Sequence, residues 1–182
     1  MALYCESFEA KGCKVTLRNA EPEDAQALID LVNACDRETT YLSREPGEFD
    51  LTPEKERELL ARWKESKTNL YLAAQVEGKI IGSCQASCPA KKRYAHKASV
   101  AVALRQEYCG LGIGRRMLLI LAAWGRENGL SHLELEVDTE NLRAVKLYTD
   151  VGFQVSGRKY RDKRLADGTY RDSYLMYLPL NP

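Results

Sequence analysis

Cys109-Gly110-Leu111-Gly112-Ile113-Gly114-Arg115, with Asn141-Leu142-Arg143-Ala144-Val145-Lys146-Leu147-Tyr148 downstream, is the part of this chain that decides its architecture. Small and β-branched residues over 95–104 lead into the glycines as a strand would. Beyond the glycines, Ile113, Met117, Leu118, Leu121 and Ala122 recur on one helical face until Gly129 supplies a left-handed stop. The glycines therefore mark a strand-to-helix turn, where main-chain N–H groups at a helix start are free to hold a phosphate. Residues 141–151 read as a second, short helix ended by Gly152, with Asn141, Val145 and Tyr148 on one side.

Three glycines at alternate positions also fit a plain turn, so the known phosphate spacings have to discriminate. The dinucleotide pattern G-x-G-x-x-G, counted from Gly110 and Gly112, needs its third glycine where Arg115 stands, and no Gly-Lys-Ser/Thr follows for a Walker loop. An anion nest at a helix N-terminus survives both tests.

Working outward, Val15-Thr16-Leu17-Arg18 alternates like a first strand, and Glu21-Pro22-Glu23-Asp24 opens a helix carrying Ala25, Leu28, Ile29 and Val32 at helical spacing. Residues 36–50 form a loop before a helix opened by Thr52-Pro53-Glu54, with Leu59, Leu60 and Trp63 as its buried side. Strands over 70–76 and 79–84 flank Glu77-Gly78, a hairpin connection. Leu133-Glu134-Leu135-Glu136-Val137 alternates strictly, and two last strands, 153–156 and 170–178, lie around an Asp167-Gly168 turn. The order is βααβββαβαββ, an α/β chain of the α+β type, read as one domain over 1–182.

The chain has 182 residues, with 27 Lys plus Arg against 26 Asp plus Glu, so no global field steers it to nucleic acid or to a membrane. The first residues, Met1-Ala2-Leu3-Tyr4-Cys5-Glu6-Ser7-Phe8-Glu9, lack a basic then apolar leader, and no apolar run has membrane length. A cytoplasmic protein is expected. Cys5, Cys13, Cys35, Cys84, Cys88 and Cys109 form no C-x-x-C pair, and His96 and His132 stand far apart in sequence. Reduced thiols and no metal site follow from that spacing.

Two linked motifs make the chain resemble the GCN5-related N-acetyltransferase (GNAT) superfamily over about residues 14–180. The Q/R-x-x-G-x-G/A signature falls on Cys109, Gly112 and Gly114, and N-x-x-A-x-x-L-Y falls on Asn141, Ala144, Leu147 and Tyr148, followed by Gly152-Phe153. The resemblance implies the GNAT fold, a mixed, mostly antiparallel sheet of six to seven strands with helices on both faces. It implies acetyl-CoA as co-substrate, with the pyrophosphate on main-chain N–H groups of Gly110, Leu111, Gly112, Ile113, Gly114 and Arg115. It also implies that Val102 and Leu104 pair through their backbones with the pantetheine arm, between strands 100–104 and 133–137 that splay apart. Asn141 is expected to contact the cofactor, and Tyr148 to sit beside its sulfur as the catalytic residue. Cys109 departs from the usual Gln or Arg, and a thiol cannot supply their donors.

Acetyl transfer to an amine needs a neutral nitrogen, and a lysine-like amine with pKa about 10.4 is neutral about once in 2,500 molecules at pH 7. Glu134, Glu136 and His96 are the candidate bases by position, against a solvated strand face as the plainer reading of the glutamates. Acceptor pockets of the family correspond here to residues 36–50, with Glu38, Glu45, Glu48 and Asp50, and to 158–174, with Arg158, Lys159, Arg161, Lys163 and Arg164. The first suits a cationic amine and the second an anion, so a small molecule and a peptide both remain open as partners. Tyr174, Met176 and Leu178 alternate on a late strand, where they either fill the core or support a homodimer. The alternative from another class is a non-catalytic acetyl-CoA-binding sensor of the same fold.

Overall fold

A computed structural model describes residues 4–180; residues 1–3, part of the N-terminal stretch read above, and 181–182 lie outside the described residues. Eight strands form one sheet in the order β1-β2-β3-β4-β5-β6-β8-β7. They are β1 (Cys5–Ala10), β2 (Cys13–Asn19), β3 (Asn69–Val76), β4 (Lys79–Ser87), β5 (Lys97–Leu104), β6 (His132–Asp138), β7 (Gln154–Arg164) and β8 (Tyr170–Pro179). The helices are α1 (Ala25–Glu38), α2 (Pro53–Lys64), α3 (Ile113–Glu127) and α4 (Leu142–Val151). Every described pairing is antiparallel except β5 with β6.

The expected element order holds, with one strand more than the sequence reading counts. β1 offers only Phe8 and Ala10 as apolar inward residues, and Lys11-Gly12, both at positive φ, makes its turn without a strong hairpin dipeptide. β7 runs on to Arg164 because, as an edge strand, its basic residues stay in solvent while its backbone pairs with β8. The buried side of α2 falls on Leu60 and Glu56, with Leu59 only half-buried.

Side-chain alternation divides the core between two faces. Leu70, Leu72, Ala74 and Val76 of β3 join Leu133, Leu135 and Val137 of β6 under α3 and α4. Ala73 and Tyr71 face the other way, against Leu28 and Leu31 of α1 and Leu60 of α2. Ile113, Met117, Leu118 and Leu121 of α3 are fully buried, each worth about 1.5–3 kcal/mol of transfer free energy. Helices thus cover both faces, and the start of α3 is anchored hard against the sheet, which positions the loop before it.

Candidate active site

β5 and β6 form a fork. They pair only at Lys97↔His132, Ala98↔Leu133 and Ser99↔Glu134, after which β5 is held by β4 and β6 by β8. The branch point is therefore Ser99/Glu134, and Leu133 belongs to the paired part. Both crossover helices start at the open end of the fork, since α3 follows β5 and α4 follows β6.

Arg105 N–H donates to the Ile81 carbonyl at 3.0 Å, and the β4–β5 register runs unbroken from Gly82↔Leu104 to Ser87↔Ser99. Residues that bond a given neighbour alternate along an antiparallel strand. Ala101 and Ala103 thus turn their main-chain groups to β4, whereas Val102 and Leu104 turn theirs into the fork.

The glycine loop follows at the open end. Gly110 (φ +79°) and Gly112 (φ +81°) are left-handed, and a Cβ on either would meet no atom within 4 Å. Arg116 N–H donates to the Gly112 carbonyl at 3.1 Å, but no protein group among the described residues accepts from the N–H groups of residues 110–115. Cys109 turns inward, with Sγ 3.6 Å from the Arg105 carbonyl, and burial pushes its thiol pKa up while the Arg143 charge pulls it down. It remains a thiol with no side-chain donor aimed at the loop.

Each residue of the second motif has a physical role. The Asn141 side chain caps α4 by accepting from Ala144 N–H at 3.1 Å, and Ala144 packs on the core. A Cβ at Gly114 would stand 3.1 Å from Leu147 Cδ2, so the two motifs touch and Gly114 lets α4 approach α3. Tyr148 packs at 5.7 Å from the Phe153 ring. Among the described residues its hydroxyl has no hydrogen-bond partner and is not sealed from solvent, while burial pushes the phenol pKa up to about 12.

With Leu133, Leu135 and Val137 under α3 and α4, Glu134, Glu136 and Asp138 point to the opposite face, each with a lysine. Lys97 Nζ lies 2.7 Å from Glu134, Lys159 Nζ 2.6 Å from Glu136 and Lys163 Nζ 2.9 Å from Asp138. Ser99 Oγ also donates to Glu134 at 3.3 Å. Lys163 further donates to the Tyr41 carbonyl at 2.9 Å, tying the loop between α1 and α2 to β7. His96 is exposed at the closed end of the fork, with its ring 5.8 Å from His132.

Sequence reasoning missed two positioning groups, Asp138 and Asp36, and gave a third, Glu38, to the acceptor pocket. Asp138 continues the Glu134-Glu136 alternation and is fully buried, which was the available signal. Glu38 holds the entry to the glycine loop, accepting from Arg105 Nε at 2.6 Å and Gln106 N–H at 2.7 Å. Burial opposes its ionisation, but those two donors hold its carboxyl below the ordinary range. Buried Asp36 takes both arms of Arg44 at 2.9 and 3.3 Å, and no spacing in the sequence pairs them.

Residues 30–153, more than half of the chain, match the model of the acetyltransferase (GNAT) family. The chain belongs to the GNAT family. An acetyltransferase of that family from Streptococcus pneumoniae superposes with a TM-score of 0.87 at 30% identity, covering 91% of this chain and 99% of that one. YncA of Salmonella typhimurium, solved with acetyl-CoA, superposes at 0.81 with 17% identity over 92% of this chain and 95% of its own, a likeness of fold. The Escherichia coli L-amino acid N-acetyltransferase AaaT is 27% identical over 111 residues, 58% of this chain and 65% of that protein. This GNAT chain spans less than two thirds of the length of the curated relatives it matches. Among the described residues, no helix is long and apolar enough to cross a membrane.

Proposed function

We propose that the fork binds acetyl-CoA and that the protein transfers its acetyl group to a primary amine by direct attack in a ternary complex. The observation that carries the reading is the meeting, at the open end of a two-strand fork, of unpaired N–H groups 110–115 with two helix N-termini. A Cβ on Gly110 or Gly112 would meet no atom within 4 Å, so the loop is open beside those groups and the residues present fit a pyrophosphate. Main-chain groups of Val102 and Leu104 pair with the amide arm, as a strand would.

Acetyl-CoA supplies the activated thioester; the chain supplies position and proton control. Tyr148, its pKa pushed up to about 12, stays protonated. Against a thiol near 8.5, full proton transfer is uphill by about 5 kcal/mol at 1.36 per pH unit, so the phenol acts by donating a hydrogen bond to the developing thiolate. Glu134, at the branch point beside Ser99, is the carboxylate placed to take the amine proton through water.

Several charges of the runs that pointed to opposite acceptors are neutralised by partners other than one another: Lys159 by Glu136, Lys163 by Asp138, Arg158 by Asp172, and Glu38 by Arg105. Acceptor choice then rests on shape more than on net charge. The likeness to AaaT supports a small acceptor such as a free amino acid over a protein.

Single-turnover acetyl transfer, run over a panel of amino acids, polyamines and peptides, tests the reading. Tyr148→Phe should lower the chemical step by about 10²–10³ with acetyl-CoA affinity retained. An unchanged rate removes Tyr148 from the mechanism, and tight binding without turnover on any amine favours the sensor alternative.

A further inference from the structure

Arg143 stands in the first turn of α4, where a cation opposes the helix dipole, and that turn holds no acidic residue. It is exposed and makes no ion pair or hydrogen bond among the described residues, unlike Arg116, which meets Glu6 and the Phe8 ring. An arginine placed against the local rule without a protein partner is explained by what it overhangs.

Its position follows from the contact between the two motifs. Leu147 meets Gly114 in the first turn of α3. Arg143 is four residues earlier on α4, on the same stripe and about 6 Å further along the axis. Helical side chains lean toward the N-terminus, which carries the guanidinium past the start of α3 and over the loop at Cys109 to Gly112. The charge of Arg143 acting on the Cys109 thiol agrees with that placement. Cys109 is the signature position where Gln or Arg is usual, and its thiol is turned to the Leu104 and Arg105 carbonyls.

We infer that Arg143 replaces the missing side chain at Cys109, donating from α4 to the pyrophosphate that the N–H groups of residues 110–115 hold. The inference rests on the acetyl-CoA reading above. A guanidinium supplies a planar fork of donors suited to phosphate oxygens, which neither the thiol nor the main chain provides.

The test is calorimetric binding of CoA and of 3′-dephospho-CoA to the wild type, Arg143→Ala and Cys109→Arg/Arg143→Ala. Arg143→Ala should weaken both ligands by about ten- to a hundredfold, the range for charge-assisted hydrogen bonds, with thermal stability unchanged. Adding Cys109→Arg should recover most of the loss. Unchanged affinity in Arg143→Ala, or a second substitution that recovers nothing, overturns the inference. So does a loss seen with CoA but absent with 3′-dephospho-CoA, since that places Arg143 on the 3′-phosphate. A wild type that binds neither ligand refutes the acetyl-CoA site itself, which separates the two failures.

Discussion

Replacing Lys163 by methionine should cost about 3 kcal/mol of folding stability and weaken the acceptor side of the site. The Asp138 carboxylate is 0% exposed, and its charge is met by Lys163 at 2.9 Å, a charge contact whose angles are outside hydrogen-bond geometry. Its other oxygen accepts from Glu140 N–H at 2.9 Å. Removing one member of a buried pair leaves the other charge uncompensated, at about 3–5 kcal/mol. The lower end applies because Lys163 is 19% exposed, so water can follow its removal. At about 2–4 °C per kcal/mol for a domain of this size, Tm should fall by about 6–12 °C. Lys163→Met/Asp138→Asn should regain much of that, since no buried charge remains. The methionine also loses the bond to the Tyr41 carbonyl, so KM for the amine should rise while acetyl-CoA affinity holds. Urea unfolding with steady-state kinetics reads both effects. A loss below about 1 kcal/mol, or a double variant no more stable than the single, would refute the reasoning.

Gly112→Ala should destabilise by about 1–2 kcal/mol because φ is +81°, whereas Gly114→Ala should cost less, since its Cβ meets only the flexible end of Leu147 at 3.1 Å. Thermal unfolding that ranks them the other way would contradict the backbone account. Burial raises the Asp24 carboxyl, but Arg18 and the Glu21 N–H outweigh it, and its pKa lies below the ordinary range. The stability it contributes is complete above about pH 3.9 and lost as pH falls through the lower native value, so Asp24→Asn should flatten the acid limb of Tm against pH. An acid limb unchanged in the variant would assign that loss to other carboxylates.

The two motifs were legible because each residue in them answers a local demand. Gly110 and Gly112 carry positive φ, Asn141 caps its helix, and Gly152 (φ +112°) ends it. The apolar periods that placed α3 and β6 reappear as buried faces. β1 and the far half of β7 were not legible as strands, because edge strands take their order from a neighbour's backbone and need few apolar residues.

Local preference and period thus determined, from sequence alone, the order of elements, the turn that frees N–H groups 110–115, and the helix that presents Tyr148. Only the tertiary structure decided where β5 and β6 part, that Leu147 of one motif seats on Gly114 of the other, and that Glu134, Glu136 and Asp138 each meet a lysine from β5 or β7. The reason is range. A dihedral preference or a side-chain period acts over a few residues, whereas a fork between strands and a buried ion pair join segments that the chain separates and only packing brings together.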